Sequence, residues 1–117
     1  MENVIIKRGV PTTVAIEVWD ETVHPEVPYD LTGLTVFISV KKIDDNTNDD
    51  SLAVITSKIT VHTSPALGMT NWTLTAAQTL VHIGEYKADL KVYSGAVEMN
   101  SDIFYVKVED VVTKRTS

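Results

Sequence analysis

Three histidines and one acidic run are the side chains of this 117-residue chain best suited to chemistry. His24, His62 and His82 lie far apart among turn residues or at the edges of elements. None forms the H-x₃-H or H-E-x-x-H spacing that brings imidazoles onto one metal, so all three are read as surface histidines. The run "DDNTNDD" offers hard oxygens at alternate positions from Asp44, Asn46, Asn48 and Asp50, as a calcium loop would. It lacks the glycine at the sixth position, and Ile55 stands at the twelfth, where a bidentate glutamate belongs. Clustered like charges repel and Asn and Asp favour turns, so residues 44 to 50 are predicted to be a solvated hairpin tip without metal. Five glycines stand singly, which leaves no phosphate-binding loop, and no serine sits in a G-x-S-x-G elbow. No set of acid, base and nucleophile is legible, so no enzymatic activity and no cofactor are expected.

Composition narrows the classes further. A hydrophobic share of 44% with 22% charged residues is that of a folding chain, and 117 residues suffice for one core. The expectation is one domain over 1–117, fraying at 110–117. The absence of cysteine removes thiol catalysis and disulfides. A net charge of −6 with basic residues scattered along the chain supplies no stripe to neutralise phosphates, so neither nucleic acid nor membrane is an expected partner. "MENVIIKRGV" lacks the apolar core of a leader, and no apolar run approaches the ~20 residues of a span.

The elements that would position any site are strands. Apolar residues recur with period two at Val4 and Ile6, at Val14, Ile16 and Val18, and at Leu34, Val36, Ile38 and Val40. The alternation continues at Ile55, Ile59 and Val61, at Thr70, Trp72 and Leu74, at Tyr86, Ala88, Leu90 and Val92, and at Phe104, Val106 and Val108. Between the fifth and sixth of these, Thr75 and Gln78 have capping-box spacing, which predicts a short helical turn over 76–81. About seven strands joined by turns predict an all-β, immunoglobulin-like antiparallel β-sandwich. The core is expected to contain Tyr86, Leu90, Val92, Val14, Ile16, Val36, Ile38, Phe104 and Val106.

The opposite faces are less polar than solvent-facing strands usually are. Ala15, Trp19, Phe37, Ile103 and Tyr105 all fall out of phase with the core. Two readings are open: a bulge or covering loops shelter them, or Trp19, Phe37, Ile103 and Tyr105 form an apolar patch for subunit or partner contact.

The order of segments resembles a known family. "IIKRGVPTTVAIEVWDE", then "YDLTGLTVFISVKK", "ALGMTNWTLTAAQTLVHIGEYKADLKVYSG" and "DIFYVKVEDVVT" are similar to the immunoglobulin-like module of tailed bacteriophages, best known as the N-terminal domain of the baseplate upper protein. The matching positions are Asp30-Leu31-Thr32-Gly33, and Leu74-Thr75, Gln78, Leu80, Gly84 and Tyr86. Within that stretch "LVHIGEYKA" resembles a tyrosine corner, with Ala88 where antibody domains carry their second disulfide cysteine. Gly9-Val10-Pro11 departs from the family's Gly-Asp turn. The family's arm proteins continue into a helical stalk and a further domain, which this sequence, ending at Ser117, does not show, so the arm function is not implied. The resemblance implies a virion structural protein of the tail or baseplate, made in the host cytoplasm and acting with other virion proteins in a homo-oligomer or hetero-assembly. Alternatives are a capsid decoration or head-fibre protein and, from a different class, a carbohydrate- or cell-surface-binding module in which Trp19 or Trp72 stacks on a sugar.

Overall fold

A computed structural model describes residues 3–20, 24–44, 53–95, 97–100 and 103–110. Ten strands follow one another: β1 (Val4–Lys7), β2 (Thr12–Glu17), β3 (Trp19–Asp20), β4 (Val27–Pro28), β5 (Thr35–Lys42), β6 (Ile55–Ile59), β7 (Met69–Leu74), β8 (Gly84–Ser94), β9 (Val97–Asn100) and β10 (Phe104–Glu109). The 3₁₀ turn Pro65–Leu67 precedes β7. The large sheet has the order β1-β10-β8-β5-β6, with β9 also on β8, while β2 pairs with β7 and β3 with β4. The result is an all-β sandwich. Setting β10, β8, β5 and β6 against β2 and β7 is the partition that variable-type immunoglobulin domains make between their GFCC′ strands and strands B and E.

Period-two burial builds the core. β8 alternates buried Tyr86, Ala88, Leu90 and Val92 with outward Glu85, Lys87, Asp89 and Lys91. Val36, Ile38, Val40, Phe104, Val106 and Val108 bury the same face of its neighbours, and Ile16, Trp72 and Leu74 close the core from the small sheet. Val14, expected inside, is partly buried against this cluster. Trp72 meets Phe104 edge to face at 6.5 Å, and its indole N–H donates to Ser57 Oγ at 2.9 Å. The two sheets are thereby joined by one buried ring that is both packed and hydrogen-bonded.

Several expectations need correction. The sandwich is not wholly antiparallel, because β1 runs parallel to β10, pairing Val4 with Val106 and Ile6 with Val108. The run from Thr12 to Asp20 is not one strand. At Val18 the amide turns to the Gly68 carbonyl (2.8 Å) and the carbonyl accepts from the Tyr29 amide (2.9 Å), so Trp19 and Asp20 leave β7 and pair with Pro28 and Val27. The helical turn over 76–81 is a single hydrogen-bonded turn. Its capping box forms, with the Thr75 amide on Gln78 Oε1 at 2.9 Å and the Gln78 amide on Thr75 Oγ1 at 3.2 Å. Two backbone bonds follow, Thr79 N–H to the Thr75 carbonyl and Leu80 N–H to the Ala77 carbonyl. Buried Thr79 then ties into the β1–β2 turn: its hydroxyl is shared between the Val10 and Ala76 carbonyls, and its own carbonyl accepts from the Gly9 amide. β6 stops at Ile59, and Val61, read as in phase with Ile55 and Ile59, is 84% exposed.

The corner motifs have structural causes. Asp30 Oδ1 accepts the Thr32 amide at 2.9 Å, Leu31 is fully buried, and Gly33 takes a positive φ of 73°. Hydrogen bonds from Thr32, side chain and backbone, hold the Asp30 carboxyl below its usual range. At the other corner the Tyr86 hydroxyl donates to the His82 carbonyl at 2.6 Å, the contact that defines a tyrosine corner. Tyr86→Phe keeps the ring and removes that bond, so stability should fall by about 1 kcal/mol. Urea unfolding checks it; an unchanged midpoint at unchanged slope would leave the corner with no role in stability.

Candidate interface on the outer sheet face

Each outward side chain of the large sheet is placed by the strand register. On β5, Phe37 stands between Lys58 of β6 and Lys91 of β8, and it is half-buried there. Lysine stems are long enough to lie along a neighbouring ring while their ammonium groups stay in water. On β10, Tyr105 faces outward opposite Lys87 and is 50% exposed. Ile103, one residue before β10, is 61% exposed. Beside them on β1 is Ile5, whose register partner is Lys107.

A register change explains why Ile103 and Tyr105 point out. β9 pairs Asn100 with Lys91, and β10 pairs Phe104 with Ala88. Three residues therefore separate the pairings on one strand where two separate them on β8. The extra residue reverses the phase, so odd-numbered Met99 packs against the core while odd-numbered Tyr105 faces solvent.

The four residues expected to form one patch are divided by the fold. Phe37 and Tyr105 belong to the large sheet and Ile103 leads into its strand β10, whereas Trp19, 44% exposed, belongs to the β3–β4 ribbon. Phe37 and Tyr105 also stand apart, on either side of β8 and at register positions four residues distant. That is roughly 13 Å along the strands and about 10 Å across them. The sequence pattern found outward residues and could not say which sheet each would join. It also passed over Ile5, which is 60% exposed, because "VIIK" has apolar residues on both faces.

Charge pairs tie this face together at its rim. Lys7 Nζ lies 2.8 Å from Glu109, linking β1 to β10, and Lys91 Nζ lies 3.0 Å from Glu98. The Lys7 hydrogen bond holds the Glu109 carboxyl below the ordinary carboxylate range. Such exposed pairs contribute little to stability and mainly orient side chains.

The residues singled out for chemistry take other roles. His62 is not a plain surface histidine: Nε2 lies 2.7 Å from the Leu34 carbonyl and Nδ1 2.9 Å from Thr70 Oγ1. A carbonyl only accepts, so Nε2 donates to Leu34, while Nδ1 and the Thr70 hydroxyl share the second hydrogen bond. The histidine fastens β7 to the start of β5. His24 and His82 are exposed. Among the described residues no three His, Asp or Glu side chains are grouped to hold a metal. The acidic run beyond Asp44 and the tail from 111 lie outside the described residues. Trp72, one of two rings considered for a sugar, is wholly enclosed in the core. No helix among the described residues is long and apolar enough to cross a membrane. No family model matches the chain, and no curated protein matches it.

Proposed function

We propose that this protein is a non-enzymatic structural component of a tailed-phage virion, in the tail or baseplate, acting through protein–protein assembly. The observation that carries the reading is the outer face of the large sheet, where Ile5, Ile103 and Tyr105 are each at least half exposed. Apolar groups in such positions keep an unfavourable hydration until a partner covers them, and aromatic residues are enriched at protein interfaces. The segment order, with its "DLTG" turn and its Leu-Thr…Gln…Gly-x-Tyr corner, supplies the phage context by resemblance. Antibody against the protein should label purified phage particles from the producing cells, with the gold label at the tail. Label on the capsid would move the protein to the shell. Absence from washed particles would overturn the virion reading.

A further inference from the structure

Folding gathers lysines that the sequence scatters. Six of the eight lysines, Lys7, Lys41, Lys58, Lys87, Lys91 and Lys107, occupy outward positions of the one large sheet. Four carboxylates share that face: Glu85, Asp89, Glu98 and Glu109. Among the described residues the face therefore carries a surplus of two positive charges, in a chain whose net charge is −6. The acidic surplus has its own focus. Residues 11–40 contain five carboxylates and neither lysine nor arginine. Its described residues form β2, the β3–β4 ribbon, the turn into β5 and, without any charge, the first six residues of β5; the segment exposes Trp19 and Val27 and, next to them in sequence, Glu17 and Glu26.

We infer that the lysine-bearing outer face of the large sheet docks the acidic, Trp19-bearing β3–β4 ribbon of a second copy of this chain. The inference rests on the assembly reading above and names its partner. Charge decides between the possible pairings. A two-fold contact of the sheet face with itself sets lysine against lysine, and a ribbon-to-ribbon contact sets carboxylate against carboxylate, each costly when desolvated. Face to ribbon pairs opposite charges and places the Trp19 indole among ammonium groups, which it attracts through its ring face. The contact is heterologous, so it propagates from copy to copy until a ring closes or a filament grows. It also brings Trp19 of one molecule to the face that carries Phe37 and Tyr105 on the next. A single-stranded nucleic acid would use lysines and rings too, but the carboxylates interleaved on this face repel a phosphate chain.

Two variants test it, each blocking one half of the contact. Lys58→Glu with Lys91→Glu reverses the sheet face; Trp19→Ala with Glu26→Lys alters the ribbon. Sedimentation velocity of the parent at rising concentration should show self-association at low salt that weakens by about tenfold or more in 0.5 M salt. Each variant alone should remain monomeric. Mixed, they should form a 1:1 pair and nothing larger, since each retains the half the other lacks. A monomeric parent at all concentrations, undiminished association of either variant, or no pairing in the mixture overturns the inference. So does binding of a labelled oligothymidylate that the sheet-face variant abolishes. Melting curves verify folding; if a variant fails, Lys58→Gln with Lys91→Gln, or Glu17→Lys with Glu26→Lys, takes its place. Particle labelling with a monomeric parent would reject this contact and keep the virion reading, while self-association without particle labelling would do the reverse.

Discussion

Truncating Trp72 to alanine should cost about 3–5 kcal/mol, enough to unfold much of a domain whose total stability is on the order of 5–15 kcal/mol. The ring is wholly enclosed, packs edge to face on Phe104, and holds the hydroxyl of Ser57. It is the largest fully buried side chain and reaches from the two-stranded sheet to both β6 and β10 of the large one. Alanine would leave a cavity between two sheets that only one pair of strands keeps closed, and Ser57 would lose its indole donor. Trp72→Phe refills much of the space without the N–H, so its loss should be about half as large. Urea unfolding followed by circular dichroism separates the two. A Trp72→Ala protein that unfolds at the parent's midpoint would mean that the sheets do not meet through this ring.

The inward faces were legible because nothing competes with period-two burial inside a sandwich. Tyr86 through Val92 and Phe104 through Val108 alternate without interruption, and both segments are strands with those side chains inside. Where a long-range hydrogen bond intervenes, alternation misleads. Val18 keeps the phase of Val14 and Ile16 and is buried, yet its backbone bonds Gly68 and Tyr29, so the strand changes partner there. Val61 keeps the phase of Ile55 and Ile59, but the chain has already turned to bring His62 onto Leu34 and Thr70. The parallel placement of β1 depends on the register with β10, about a hundred residues away, which no local pattern encodes. The same limit applies to the candidate interface. Outward Phe37 and Tyr105 could be picked from their phase, whereas the gathering of six lysines beside them requires knowing that β1, β10, β8, β5 and β6 lie side by side in that order.

The second large effect should come from Gly68→Ala, with a loss of roughly 2–4 kcal/mol. Gly68 follows the 3₁₀ turn with φ of 69°, a conformation that costs an L side chain about 1–2 kcal/mol wherever it occurs. Its surroundings add to this. A Cβ there would stand 2.4 Å from the Val18 carbonyl oxygen and 2.9 Å from that of Tyr29, both backbone atoms without a rotamer to yield. Relief requires the β3–β4 side to move away from the turn, and that breaks the Val18 amide bond to the Gly68 carbonyl. Gly33 is the internal control, since it has nearly the same φ, 73°, with nothing within 4 Å of its added Cβ. Gly33→Ala should therefore lose only the conformational part, about 1–2 kcal/mol. The difference between the two midpoints isolates the close approach of the ribbon to the turn. Equal losses would show that the ribbon yields freely, and a ribbon so loosely held could not present Trp19 to a neighbouring molecule in one fixed orientation.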